Sequence, residues 1–154
     1  MVRLSENFTL SEFTKSQTAE RKGIDNTPGE EHLEAAKHLF SNVVQKVRDN
    51  FGVTVINSGY RGPELNEAIG GSERSQHCKG EAVDIECPGT ANYDVAAWIQ
   101  DNLDFDQLIL EFYKPGIPDS GWVHVSYKSE GNRKSVLTAM KEDGKTVYKA
   151  GLIQ

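Results

Sequence analysis

Ser75–Cys87 reads SQHCKGEAVDIEC, and its second half decides how this chain folds. From Ala82 to Cys87 the residues alternate in a period of two, as in a strand buried on one face. Val83, Ile85 and Cys87 fall on one face, and Ala82, Asp84 and Glu86 on the other. The apolar set can enter a core while Asp84 looks into a cleft, with Ala82 leaving space beside it. Gly80 stands where a loop must turn into that strand, with His77 on the loop side.

Trp122–Tyr127 (WVHVSY) repeats the pattern. Val123 and Val125 share the apolar face, and Trp122, His124 and Ser126 the other. His124 therefore also points away from the core. Two imidazoles and one carboxylate make a sound three-ligand set for a catalytic zinc, which keeps a fourth position open. On spacing alone, a histidine near an aspartate is more often an ordinary hydrogen-bonding partner.

Around these strands the sequence lays out an α+β domain. Thr9–Lys22 reads as one short helix, capped by Thr9 or Ser11 and ended by Gly23. Ile24–Gly29 is a loop. Glu30–Asn50 is the clearest helix, with Leu33, Ala36, Leu39, Phe40, Val43, Val44 and Val47 on one stripe and acidic residues at its start. His32 and His38 on this helix read as solvated surface residues. Val53–Asn57 and Gln107–Tyr113 read as strands, Glu64–Ile69 as a small helical patch, and Asn92–Leu103 as a second amphipathic helix. Lys114–Gly121 makes an irregular hairpin loop. The tail is less regular: Lys141–Lys145 is a turn and Thr146–Tyr148 an edge strand. Without a βαβ repeat, the expected sheet is mostly antiparallel with flanking helices.

Composition narrows the function. The 154 residues suit one domain over 1–154, and a net charge of −6 carries no nucleic-acid footprint. No stretch has the roughly 18 apolar residues of a membrane span. Met1–Leu10 lacks the pattern of a secretory signal, so synthesis in the cytoplasm is expected. Cys78 and Cys87 are too few for a disulfide scaffold and read as small buried residues.

Ser75, His77, Gly80, Ala82 and Asp84, in the pattern Ser-x-His-x-x-Gly-x-Ala-x-Asp, together with Trp122 and His124 as Trp-x-His on a later strand, resemble the zinc D-Ala-D-Ala carboxypeptidases and their phage endolysin relatives. That larger group includes lysostaphin-type peptidases and the hedgehog domain. NFTLSEF (7–13), GIDNTP (23–28) and INSGYRGPELNEAIGGSERSQH (56–77) resemble its compact phage and prophage form. The resemblance implies a hedgehog/D-Ala-D-Ala peptidase-like fold and one zinc ion held by His77, Asp84 and His124. It implies that Arg61 holds a substrate carboxylate, suiting the planar fork of a guanidinium. Ser75 and Gln76 would shape the metal loop, with Ser75 able to bond a ligand or substrate. Gly70 and Gly71 read as backbone devices.

The substrate implied is a peptidoglycan stem peptide, cut as a D-Ala-D-Ala carboxypeptidase or as an L-Ala–D-Glu-type endopeptidase. The enzyme would act as a monomer on the cell wall, reaching it through a holin or in a virion. The larger relatives carry an acidic residue three positions before the last histidine; here that position is Gly121. Glu111, on the polar side of the otherwise apolar Gln107–Tyr113, is the expected general base, with Ile109 beside it and Leu108, Leu110 and Phe112 opposite. Asp119 is the second choice. If neither reaches the metal, the chain is instead a non-catalytic zinc-containing wall-binding or virion module.

Overall fold

The structure, a computed structural model, describes residues 2–70 and 76–153. It is an α+β fold built on a six-stranded mixed sheet. The strands are β3 (Val55–Ser58), β4 (Ala82–Glu86), β5 (Gln107–Glu111), β6 (Trp122–Ser126), β7 (Ser135–Glu142) and β8 (Lys145–Ala150). Their spatial order is β3-β4-β6-β5-β7-β8. A small hairpin, β1 (Arg3–Ser5) with β2 (Phe8–Thr9), stands apart.

One face of the sheet is the core. Val83 and Ile85 of β4, Leu108 and Leu110 of β5, and Val123 and Val125 of β6 are all fully buried there. Alternation along each strand produces this face. Against it pack α3 (Glu30–Leu39), a π-helical turn at Phe40–Val44, α4 (Gln45–Phe51) and α6 (Asn92–Asn102). The expected long helix is present, but a local turn with an i→i+5 bond from Gln45 N–H to Phe40 C=O interrupts it. Hydrophobic spacing does not resolve such a turn, because Leu39, Phe40, Val43, Val44 and Val47 are buried on either side of it. His38 is exposed, but His32 is half-buried, with its Nδ1 3.2 Å from the Tyr60 hydroxyl.

The single helix expected over Thr9–Lys22 is two: α1 (Leu10–Thr14) and α2 (Gln17–Lys22). Ser16 breaks it by capping α2, accepting the Ala19 N–H at 3.2 Å. The Asn26 amide takes the orphaned Thr14 carbonyl at 2.9 Å. Gly23 ends α2 in the left-handed conformation, as expected. Residues of the 55–69 region form β3 and a short helix, α5 (Pro63–Ala68).

The tail carries the expected turn and edge strand, β8, and also a strand, β7, that the sequence left unassigned. It forms the β7–β8 hairpin, and β7 pairs parallel with β5, Ile109 opposite Leu137 and Glu111 opposite Ala139. The other neighbours in the sheet are antiparallel. β5 also ends earlier than expected. Phe112 takes a left-handed φ of 58° and leaves the core face; its ring lies 5.5 Å from that of Trp122. The cysteines form no disulfide; Cys87 is buried as expected, whereas Cys78 is half-buried.

Candidate metal centre

The face opposite the core carries the polar residues, and the sheet register collects them. Asp84 of β4 lies opposite His124 of β6, and His124 opposite Ile109 of β5. One step along, Glu111 lies opposite Trp122. Glu111 is therefore a diagonal neighbour of His124, within reach of a long side chain. His77 comes from a 3₁₀ turn, Gln76–Lys79, that precedes β4. Gly80 joins the two with φ +73, and a Cβ there would sit 2.4 Å from the His32 carbonyl oxygen, so no side chain fits the turn.

Asp84 Oδ1 lies 3.0 Å from His124 Nδ1 and 3.5 Å from His77 Nε2. The potential ligand atoms of all three lie within 4.8 Å of one another. With zinc bonds of 2.0–2.2 Å, tetrahedral ligand atoms sit roughly 3.3 Å apart. The two shorter separations bracket that spacing, so the donor set fits a zinc ion. His77 and Asp84 are buried, and His124 is partly exposed. The Nδ1–H of His77 donates to the Gly59 carbonyl at 2.8 Å. A carbonyl can only accept, so this bond fixes the tautomer and leaves Nε2 with its lone pair toward Asp84. Burial alone would push the Asp84 carboxyl up. The hydrogen bond from His124 and the adjacent His77 ring outweigh it and hold the group well below the usual carboxylate range.

Glu111 is half-buried on the same cleft, and the Trp122 indole N–H donates to its Oε2. Burial, then the nearby Asp84 charge, push its pKa up, against lowering contributions from His124, Trp122 and Arg61. That is the direction a general base needs. Asp119 is exposed in the Lys114–Gly121 loop and borders a different cavity, with Val55, Glu86 and Pro88. Gly121 has φ +65, and a Cβ there would lie 2.0 Å from the Glu111 carbonyl oxygen. Backbone packing thus forbids a side chain at this position, and the turn it makes sets the end of β5 beside Glu111.

Arg61 lines the cleft, with Nη2 3.1 Å from Ser58 Oγ and 3.9 Å from Asp84 Oδ2. Its own N–H bonds the His77 carbonyl at 3.1 Å. Asn26 holds this loop: its amide donates to the Tyr60 carbonyl at 2.9 Å, and its Oδ1 accepts the Gly62 N–H at 2.7 Å. Ser75, Gly71 and their neighbours 72–74 lie outside the described residues. The cleft is about 680 Å³. It also takes in residues that sequence reasoning passed over, among them Glu81, Gln107, Lys128, Arg133 and Tyr148. For Trp122 a signal was available, since it shares the alternating face with His124. Nothing local marks Arg133 or Tyr148.

A cleft with two imidazoles and a carboxylate at zinc spacing, and a half-buried glutamate one strand over, is the equipment of a hydrolytic zinc enzyme. The comparison with known families agrees: residues 6–126 match the family model described as peptidase M15, and the chain belongs to that family. It is a zinc-dependent peptidase. No curated protein sequence matches it.

Proposed function

We propose that the chain hydrolyses stem peptides of bacterial peptidoglycan, with His77, Asp84 and His124 as the zinc ligands, Glu111 as general base and Arg61 as the anchor of a substrate carboxylate. The observation that carries this reading is the convergence of the three ligand atoms within 4.8 Å, with Glu111 diagonal to His124 on the same face. Zinc in such a site supplies Lewis-acid activation of water and of the carbonyl to be cut.

The protein's own groups do the rest. Glu111, its pKa raised by burial and by the Asp84 charge, removes a proton from the attacking water and returns it to the leaving amine. Trp122 orients the carboxylate by donating to Oε2. Arg61 fixes the peptide by its carboxylate and so aligns the bond over the metal. Ser75 belongs to this reading through the family resemblance alone. Residues 1–154 act as one peptidase domain, since β7 and β8 extend the same sheet beyond the family match. The chain works as a monomer and reaches the wall through a holin or in a virion, as the compact phage relatives it resembles would.

The test is metal analysis of the purified protein together with digestion of purified sacculi and of a free D-Ala-D-Ala-terminated peptide. One zinc per chain and a released product are expected. Product masses separate loss of the terminal D-Ala from cleavage at an internal bond. A zinc-loaded protein that releases nothing from either substrate overturns the catalytic reading in favour of a wall-binding module.

A further inference from the structure

The cleft does not end at the metal. On the side of β5 and β7 its wall carries Gln76, Lys128 and Arg133, and the last two lie beyond the matched family segment. Asp106, fully buried at the entry to β5, holds two of these three donors in place. Its carboxylate accepts Arg133 Nε at 3.0 Å and Nη2 at 2.8 Å, and Gln76 Nε2 at 3.0 Å. Burying a carboxylate is costly unless charge and hydrogen bonds compensate it, and here the compensating groups are cleft-wall donors.

The Arg133 side chain stays 58% exposed, so its anchored guanidinium still offers N–H groups outward. Lys128, adjoining it on the wall, pairs with no carboxylate among the described residues. The charge balance points the same way. The chain carries net charge −6, yet this cleft gathers Arg61, Lys79, Lys128 and Arg133 against Glu81, Asp84 and Glu111, and with Asp106 counted it is balanced. A divalent ion would tip it toward the positive. Arg61 enters from the β3 edge, and Arg133 from the far side of the ligand-bearing strands β4 and β6.

We propose that Arg133, Lys128 and Gln76 form a second anion subsite, taking a carboxylate of the peptide other than the one Arg61 takes, so that an acidic peptide is held on both sides of the metal. This rests on the peptidase reading above and specifies its substrate as a peptide with an internal carboxylate. Arg133 and Lys128 are then specificity-determining residues, and Asp106 a positioning residue that acts through them.

The experiment is titration calorimetry of the full chain with a peptidoglycan stem pentapeptide whose internal carboxylates are free, and with the same peptide amidated at those carboxylates. The wild type should bind the free form about tenfold or more tightly, the scale of one charge-assisted hydrogen bond. Lys128→Gln with Arg133→Lys should narrow the ratio to about threefold or less, with zinc content unchanged. If Arg133→Lys loosens the fold, Lys128→Gln alone carries the test, and should cut the ratio about threefold. Chelated protein should keep the wild-type preference, because protein cations rather than the metal read the charge.

A preference that vanishes on chelation, that survives both substitutions, or that is absent from a wild type able to digest sacculi overturns the subsite and leaves the peptidase reading standing. A wild type that neither binds the peptides nor digests sacculi overturns both.

Discussion

Among single residues, Asp84 and Glu111 show how one cleft gives two carboxylates different work. Both are at least partly buried, which favours the protonated form. Asp84 receives a hydrogen bond from His124 beside the His77 ring and stays ionised, as the metal ligand we propose it to be must. Glu111 receives one indole N–H, which lowers its proton affinity less than burial and then the Asp84 charge raise it. Substitution should separate the two roles. Glu111→Gln should keep one zinc per chain by metal analysis while peptide turnover falls by about 100-fold or more. Asp84→Ala should instead lose the zinc itself, and turnover with it. Unchanged turnover in Glu111→Gln would rule it out as the base.

Among elements, the end of β5 is the critical place. Gly121 packs its backbone against Glu111 and Phe112 so closely that a methyl group has no room. Gly121→Ala adds left-handed strain of about 1–2 kcal/mol, and the clash with the Glu111 carbonyl comes on top of it. The unfolding midpoint should fall, and turnover should fall with zinc still bound, because the strand carrying Glu111 must shift. This also gives a physical reason why the acidic residue of larger relatives has no counterpart here. In this chain the position belongs to a backbone turn, and the carboxylate we propose as general base stands on the neighbouring strand.

The start of β5 has its own electrostatic clamp. The Arg133 hydrogen bonds beside Asp106 hold its carboxyl down at about 2, from an ordinary value near 3.8. The folded pKa is the lower one, so the clamp stabilises fully above about pH 4 and is lost as pH falls toward 2. Its worth is at most about 2 kcal/mol, discounted because Arg133 is largely in solvent. Denaturant unfolding of the wild type should therefore weaken between pH 4 and pH 2. Asp106→Asn should lose that part of the slope. A variant with the full wild-type slope would remove Asp106 from this account.

At the scale of the whole molecule, the sheet separates two jobs. Its core face packs α3, α4 and α6 through fully buried aliphatic residues, and its other face holds Asp84 and His124 of the proposed metal site. The proposed ligands come from β4, β6 and the 3₁₀ turn before β4, so a bound ion would tie these segments together. Any ligand that prefers the folded state stabilises it by RT ln(1 + [L]/Kd), about 2.7 kcal/mol at a hundredfold excess over Kd. Chelation should thus lower the unfolding midpoint, and added zinc should restore it. The shift should be absent in Asp84→Ala.

The metal face was legible because strand alternation is local. Val83, Ile85, Val123 and Val125 announce the core side, which forces Asp84 and His124 to the other. The stripe of α3 and α4 is likewise a short-range pattern. Other features depend on neighbours remote in sequence. Thr14 ends α1 because Asn26 and Ser16 offer its surroundings better partners than a continuing helix would. Phe112 turns out of its strand because the Gly121 backbone lies against it. The β5–β7 parallel pair and the Asp106–Arg133 clamp join residues more than two dozen positions apart.

By itself, then, the sequence determined which residues could bind a metal, which side of each strand they occupy, and the family pattern they share. Tertiary structure alone decided that the tail completes the sheet and that Asp106 places Arg133 and Gln76 on the cleft wall. The reason is range: periodicity is written into each segment, whereas pairing between distant segments depends on which contacts the folded chain can satisfy together.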